Sequence, residues 1–153
     1  PEEIIKNFNC ICIHESDLPK FRGGSPIQNQ IIRGVKKSKS TAFLMNEKLD
    51  SGKIISKKSL SLEGSLDEIF LRMEKNNFEL ITNIISKKFK LSPQKGTPTY
   101  YKRRTPSQSE LKDLKKSKLY IHNFIRMLSD PYPNAYIKIG KKKIIFKTIN
   151  SVE

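Results

Sequence analysis

Apolar positions along the 153-residue chain follow two different periods. Short, nearly unbroken runs come first: Cys10-Ile11-Cys12-Ile13, then Thr41-Ala42-Phe43-Leu44-Met45, then Ile54-Ile55 within 53–56. Each is too short for a helix and is bounded by Pro, Gly or polar clusters, which predicts three strands, the first a buried central one. Between the first two, Ser25 and Pro26 predict the N-cap and first residue of a helix over 26–33, with Ile27, Ile31 and Ile32 inward and Gly34 closing it. Residues 36–40 predict a basic loop and Ser51-Gly52 a turn.

From Ser65 the period changes. Leu66, Ile69, Phe70, Met73, Leu80, Ile81, Ile84 and Ile85 recur at helical spacing behind a Ser65/Glu68 capping box. They predict a packing helix of about 20 residues that ends in Lys87-Lys88, whose charges suit a helix C-terminus. Pro93, Gly96, Pro98 and Pro106 then prevent regular structure while stiffening the path, predicting a surface linker. A second amphipathic helix is expected from Ser117 to 128, a break at Asp130-Pro131-Tyr132-Pro133, and a hairpin of strands 135–139 and 143–148 around Gly140. The expected organisation is an α/β unit over 1–90, the linker over 91–116 and a small helix-and-hairpin module over 117–153.

Composition bears on partners more than on fold. A hydrophobic fraction of 36% and a charged fraction of 29% fit a soluble globular protein, and no apolar run approaches the ~20 residues that cross a bilayer. The opening Pro1-Glu2-Glu3 lacks the basic start of a secretory leader. Cys10 and Cys12 lie two apart and share a face of the first strand. That is not a zinc spacing, and it predicts reduced core thiols in a cytoplasmic protein without a metal. The net charge of +15 is uneven: residues 1–79 carry 13 basic and 11 acidic side chains, residues 80–153 carry 17 and 4. Such an excess favours an anionic partner such as RNA or a nucleotide diphosphate; dispersed lysines are equally at home on a solvated surface.

Two stretches carry candidate chemistry. His14 directly follows the first strand and precedes a loop stiffened by Pro19 and Gly23-Gly24, the end of a strand being where α/β sheets bind ligands. In Thr99-Tyr100-Tyr101-Lys102-Arg103-Arg104-Thr105-Pro106 aromatic and basic residues interleave. Such a segment can stack on a base or clamp phosphates, or grip its own domain.

The runs His14-x-Ser16-x-Leu18-Pro19-x-x-Arg22-Gly23, Ser25-Pro26-Ile27-Gln28 and Leu49-Asp50-Ser51-Gly52-x-Ile54 resemble the catalytic half of the formyltransferases that use 10-formyltetrahydrofolate. That family includes methionyl-tRNA formyltransferases and nucleotide-sugar N-formyltransferases. Residues 99–106 are similar to a segment of the amino-sugar enzymes, and 125–128 with 131–136 to the region after the catalytic domain. The resemblance implies the C-terminal half of a Rossmann-like formyltransferase domain. The family's preceding mononucleotide-binding half does not fit before residue 10, so a fragment, a half supplied by another polypeptide and a degenerate relative are the three expectations.

It further implies roles. His14 is the catalytic histidine, Asp50 the aspartate that orients and supports it, and Ser16, Asp17, Leu18, Pro19, Gly24 and Asn46 lie along the folate. Tyr100, Arg103 and Arg104 lie on the acceptor. The expected acceptor is the amine of a nucleotide-linked amino sugar, given the 99–106 segment and the short C-terminal module; methionyl-tRNA is the alternative, which the charge favours. One position departs from the family: Cys12 stands where an asparagine helps hold the oxyanion. A thiol is a weak donor, and losing one such donor costs on the order of 100-fold in turnover, so a basic binding module without turnover is the rival reading.

Overall fold

Residues 2–149 are described by the computed structural model. In chain order the elements are α1 (Glu2–Asn7), β1 (Ile11–His14), β2 (Arg22–Gly23), α2 (Pro26–Ile31), β3 (Lys37–Leu44), β4 (Ile54–Ser61), α3 (Leu66–Ser86), β5 (Tyr100–Tyr101), a 3-10 turn (Pro106–Ser109), α4 (Lys118–Arg126), β6 (Ala135–Ile139) and β7 (Lys142–Phe146). The main sheet is antiparallel in the order β1-β3-β4, with His14 opposite Thr41, Cys12 opposite Phe43 and Thr41 opposite Lys57. The expected buried central strand is therefore an edge strand among the described residues. β1 has a ladder partner on one side only, and Ile11 is 38% exposed.

β3 starts at Lys37, inside the expected basic loop. Its first turns alternate Lys37 and Lys39 outward with Ser38 and Ser40 buried. The period is two, as in any half-buried strand, but the inward residues are small and polar, so an apolar-run criterion passes over them. α3 matches its expectation at the start: Ser65 Oγ accepts from the Glu68 N–H and the Glu68 carboxylate accepts from the Ser65 N–H. The far end differs, because Ile81 and Ile85 are exposed rather than inward; the core takes Leu66 and Ile69, with Phe70 and Met73 packed against it.

That core is continuous. Ile27 and Ile31 of α2, Leu60 of β4, and Leu66 and Ile69 of α3 pack with Leu111 of the linker and with Phe124, Ile125, Met127 and Ala135 from beyond it. Arg126 fastens the same junction, its guanidinium donating to the carbonyls of Leu62 and Gly64 at 2.7 and 2.8 Å.

The linker does not lie loosely on the surface. Ser92 exchanges backbone hydrogen bonds with Ile54, and β5 pairs in parallel with β2. The carbonyls of Thr99 and Tyr101 accept from the N–H groups of Arg22 and Gly24. Gly23 and Gly24 are what admits it: a Cβ on Gly23 would stand 2.3 Å from the Tyr101 oxygen, and one on Gly24 2.4 Å from the Arg103 Cα. Ser25 departs from its expected role for the same reason. It has φ +50° and no side-chain cap bond, and its hydroxyl accepts from the Arg104 N–H instead.

Candidate active site

The end of β1 and the turn between β3 and β4 bring His14 and Asp50 together. Asp50 Oδ2 lies 3.6 Å from His14 Nδ1, with side chains 13% and 9% exposed. On its other side the imidazole Nε2 is 2.7 Å from the carbonyl of Phe21. A carbonyl only accepts, so Nε2 carries the hydrogen, and in the neutral ring the lone pair is at Nδ1. Asp50 Oδ2 also accepts from the Gly23 N–H at 2.7 Å. Asp50 and Phe21 both hold left-handed backbones, φ +47° and +59°, a region that costs a non-glycine residue about 1–2 kcal/mol. Both are retained where they aim a group at the imidazole.

Cys12 shares the His14 face of β1, two residues back. Burial, and then the neighbouring Asp50 carboxylate, push its thiol pKa up, so it stands there as an S–H. Its Sγ is 3.6 Å from the Ile13 carbonyl, a weak bond at best. Cys12→Asn offers a full amide donor on the same face. It is expected to leave turnover at least unchanged and to raise it by up to about 100-fold if oxyanion stabilisation limits the rate; steady-state kcat of the two proteins side by side checks it.

The residues expected along the folate build a rigid loop. Ser16 Oγ donates to the Lys20 carbonyl at 2.7 Å, and Thr41 Oγ1 donates to the Ser16 carbonyl at 2.6 Å. Asp17 is clamped by Lys57 at 2.5 Å, with Lys39 at 3.4 Å. Burial alone would raise the Asp17 pKa, but the hydrogen bond and charge of Lys57, with Lys39, outweigh it and hold the carboxyl below its usual range. Leu18 is buried, and its carbonyl accepts from Lys57 as well. The Pro19 carbonyl accepts from the Thr99 N–H. Asn46 Oδ1 accepts from the Lys48 N–H and Ser51 Oγ, closing the turn that carries Asp50, and the open side of Gly24 faces Arg103.

Of the expected acceptor residues, Tyr100 is exposed and its hydroxyl accepts from Arg22 Nη1 at 2.6 Å, one residue from Gly23. Arg103 is exposed. Arg104 turns the other way, over the Phe124 ring and onto the Gln108 carbonyl. His14, Asp50, Cys12 and the 16–19 loop thus form one cluster, Tyr100 touches it through Arg22, and Arg104 faces α4. A cavity of about 550 Å³ lies apart from this cluster, walled by Lys36, Leu62, Ser65, Asn123 and Arg126.

Glu15 went unread in the sequence. Its side chain is buried, its carboxylate accepts from Ser40 Oγ at 2.5 Å, and its carbonyl accepts from Gln30 Nε2 at 2.7 Å. Burial drives its pKa up, tempered by hydrogen bonds from Ser40 and Asn77 and by the charge of His14. A carboxyl whose folded pKa is raised costs nothing below its unfolded pKa and destabilises as pH climbs through the folded value. Glu15→Gln keeps an oxygen for Ser40 and removes that charge. It is expected to melt above the parent chain at pH 8, with the gap closing as pH falls to 4; paired thermal melts across that range check it.

The comparisons with known proteins fit this geometry. The family model described as "Formyl transferase" matches residues 1–85, and that described as "Methionyl-tRNA formyltransferase, C-terminal domain" matches 106–151. The methionyl-tRNA formyltransferase of Bacillus subtilis (strain 168) is 32% identical over 94% of this chain and 48% of its own length. The chain thus spans about half the length of the curated relatives it matches. The solved structure of methionyl-tRNA formyltransferase from Clostridium thermocellum is 40% identical with a TM-score of 0.92, covering 100% of this chain and 67% of that one. A 4-N formyltransferase from Francisella tularensis shares the fold, with a TM-score of 0.82 at 22% identity over 99% and 67% of the two chains. The expected α/β, Rossmann-like class holds. With a matching family model over more than half its residues and the histidine and aspartate of the motif face to face, this chain belongs to the formyl transferase family.

Proposed function

We propose that the chain carries the acid–base half of a folate-dependent formyltransferase whose acceptor is methionyl-tRNA. The facing pair His14 Nδ1 and Asp50 Oδ2, with Nε2–H fixed on the Phe21 carbonyl, is the observation that carries the reading. The attacking amine adds to the formyl carbon of 10-formyltetrahydrofolate. Its proton passes to Nδ1, where the imidazolium gains the Asp50 carboxylate as counter-charge. The same proton then goes to N10 of the folate as the carbon–nitrogen bond to it breaks, leaving tetrahydrofolate and a formylated amine. In this reading the 16–19 loop and the 46–50 turn flank the donor. Their internal ties to Lys57, Thr41 and Ser51 make them rigid walls, which suits positioning of a near-attack geometry.

Three findings favour tRNA over the amino sugar expected first. The relatives at 32% and 40% identity are named methionyl-tRNA formyltransferases, the matched C-terminal model carries that description, and the residues after 79 hold most of the net positive charge. The neighbours named as sugar enzymes, at 21–22% identity, speak for fold alone. The test joins this chain to the N-terminal half of the Bacillus subtilis relative and supplies 10-formyltetrahydrofolate with methionyl-tRNA or with a nucleotide-linked amino sugar. Formylmethionyl-tRNA is expected, with binding that weakens steeply with salt. Formylation of the sugar alone, or folate binding without transfer to either, overturns the proposal.

A further inference from the structure

Gln94 lies in the linker, far from the motifs in sequence, yet its side chain reaches beneath the Asp50 turn. Nε2 donates to the carbonyl of Asp50 and to that of Gly52, each at 2.9 Å. Oε1 accepts from Arg22 Nη2 at 2.7 Å and from Arg22 Nε at 3.3 Å. Both amide donors and the amide oxygen are thus engaged, the full capacity of the group. Arg22 belongs to β2, whose next residue, Gly23, donates its N–H to the Asp50 carboxylate. β2 therefore holds Asp50 twice, at the carboxylate directly and at the backbone through Arg22 and Gln94. The held backbone has φ +47°, in the sparsely populated left-handed region.

We propose that Gln94 is a positioning residue for Asp50 and, through Asp50, for the His14 imidazole. It touches no reacting atom; it fixes the turn whose carboxylate stands 3.6 Å from Nδ1. The inference rests on the reading of His14 and Asp50 as the acid–base pair.

Gln94→Glu separates positioning from simple retention of Arg22. Glutamate keeps the oxygen that Arg22 uses and adds a favourable charge, but it removes both donors and sets a carboxylate oxygen against the Asp50 and Gly52 carbonyls. In the transfer assay above, kcat is expected to fall about 100-fold, the size of effect that a displacement near 1 Å produces, with KM for both substrates within about twofold. Independently of activity, nitrogen-15 histidine NMR on the 153-residue chain reads the ring directly. The chain has two histidines, and a His122→Gln variant assigns His14. In Gln94→Glu the His14 nitrogen signals are expected to move toward those of Asp50→Asn. Wild-type kcat, or unmoved His14 signals in a folded variant, overturns the proposal. If the glutamate variant does not melt cooperatively, Gln94→Met, which keeps the volume without donors, decides by the same signals. Failure of both to fold makes Gln94 a folding residue and also overturns it. Absence of transfer in the parent chain counts against the acid–base reading alone, since the NMR comparison still decides whether Gln94 sets the ring.

Discussion

Replacing His14 with alanine is expected to lower formyl transfer by about 1,000-fold, within the 10²–10⁴ range of a lost general acid–base group. The residual melting transition should stay close to that of the parent chain. The hydrogen bond lost to the fold is the one from Nε2 to the Phe21 carbonyl, worth about 1 kcal/mol net. Asp50→Asn is the companion. The amide keeps an oxygen for the Gly23 N–H but gives up the charge that faces Nδ1 at 3.6 Å. Without that counter-charge the imidazolium formed during transfer is less stabilised, so a loss of roughly 100-fold or more is expected, with KM little changed. Single-turnover formylation, measured in proteins that melt cooperatively, checks both. Parental rates in the two variants would remove these residues from the chemistry.

Gly52→Ala is expected to have the largest effect on the fold. A Cβ there would stand 1.6 Å from the Leu44 carbonyl oxygen and 2.8 Å from the Leu44 carbonyl carbon. Both atoms are backbone of β3, and Leu44 is itself bonded to the Lys53 carbonyl. The obstacle is therefore a strand rather than a flexible side-chain end, and the turn has to retreat by more than an ångström to clear it. Overpacking of this kind costs about 3 kcal/mol, a fall in Tm on the order of 10 °C for a chain of this size. Because the turn carries Asp50, activity should fall even at temperatures where the variant remains folded. Thermal melts and rates taken well below the transition check the two halves separately. A melt within about 2 °C of the parent, under 1 kcal/mol, would mean that the turn has room that the geometry denies.

The residues proposed to flank the folate show how a motif and its role come apart. Ser16, Asp17, Leu18 and Asn46 were legible as part of the site because their pattern resembles a family, but what each side chain does depends on neighbours that no local pattern names. Asp17 needs Lys57 and Lys39, brought from β4 and β3 by strand pairing. Arg103 and Arg104 read alike in a basic segment. The backbone path of 100–104 sends one to solvent and the other over Phe124. Gln94 carried no signal at all, since an uncharged residue after a proline in a linker has no period and no chemistry until the Asp50 turn arrives above it.

By itself the sequence determined the local features, because they depend on neighbours a few residues away: the capping box of α3, the hairpin around Gly140 and the position of His14 at a strand end. The turn expected at 51–52 instead closes over 48–51, where the Ser51 N–H donates to the Lys48 carbonyl. The motif also determined which imidazole and which carboxylate were to meet. Only the tertiary structure decided that β1 lies at an edge among the described residues, that the linker is a strand partner of β2, that one core joins both parts of the chain, and which nitrogen of His14 faces Asp50. Apart from the His14–Phe21 contact, which spans seven positions, those outcomes are set by contacts between residues 27 to more than 80 positions apart. Their free energy depends on packing, burial and hydrogen-bond geometry that exist only once the chain has closed on itself.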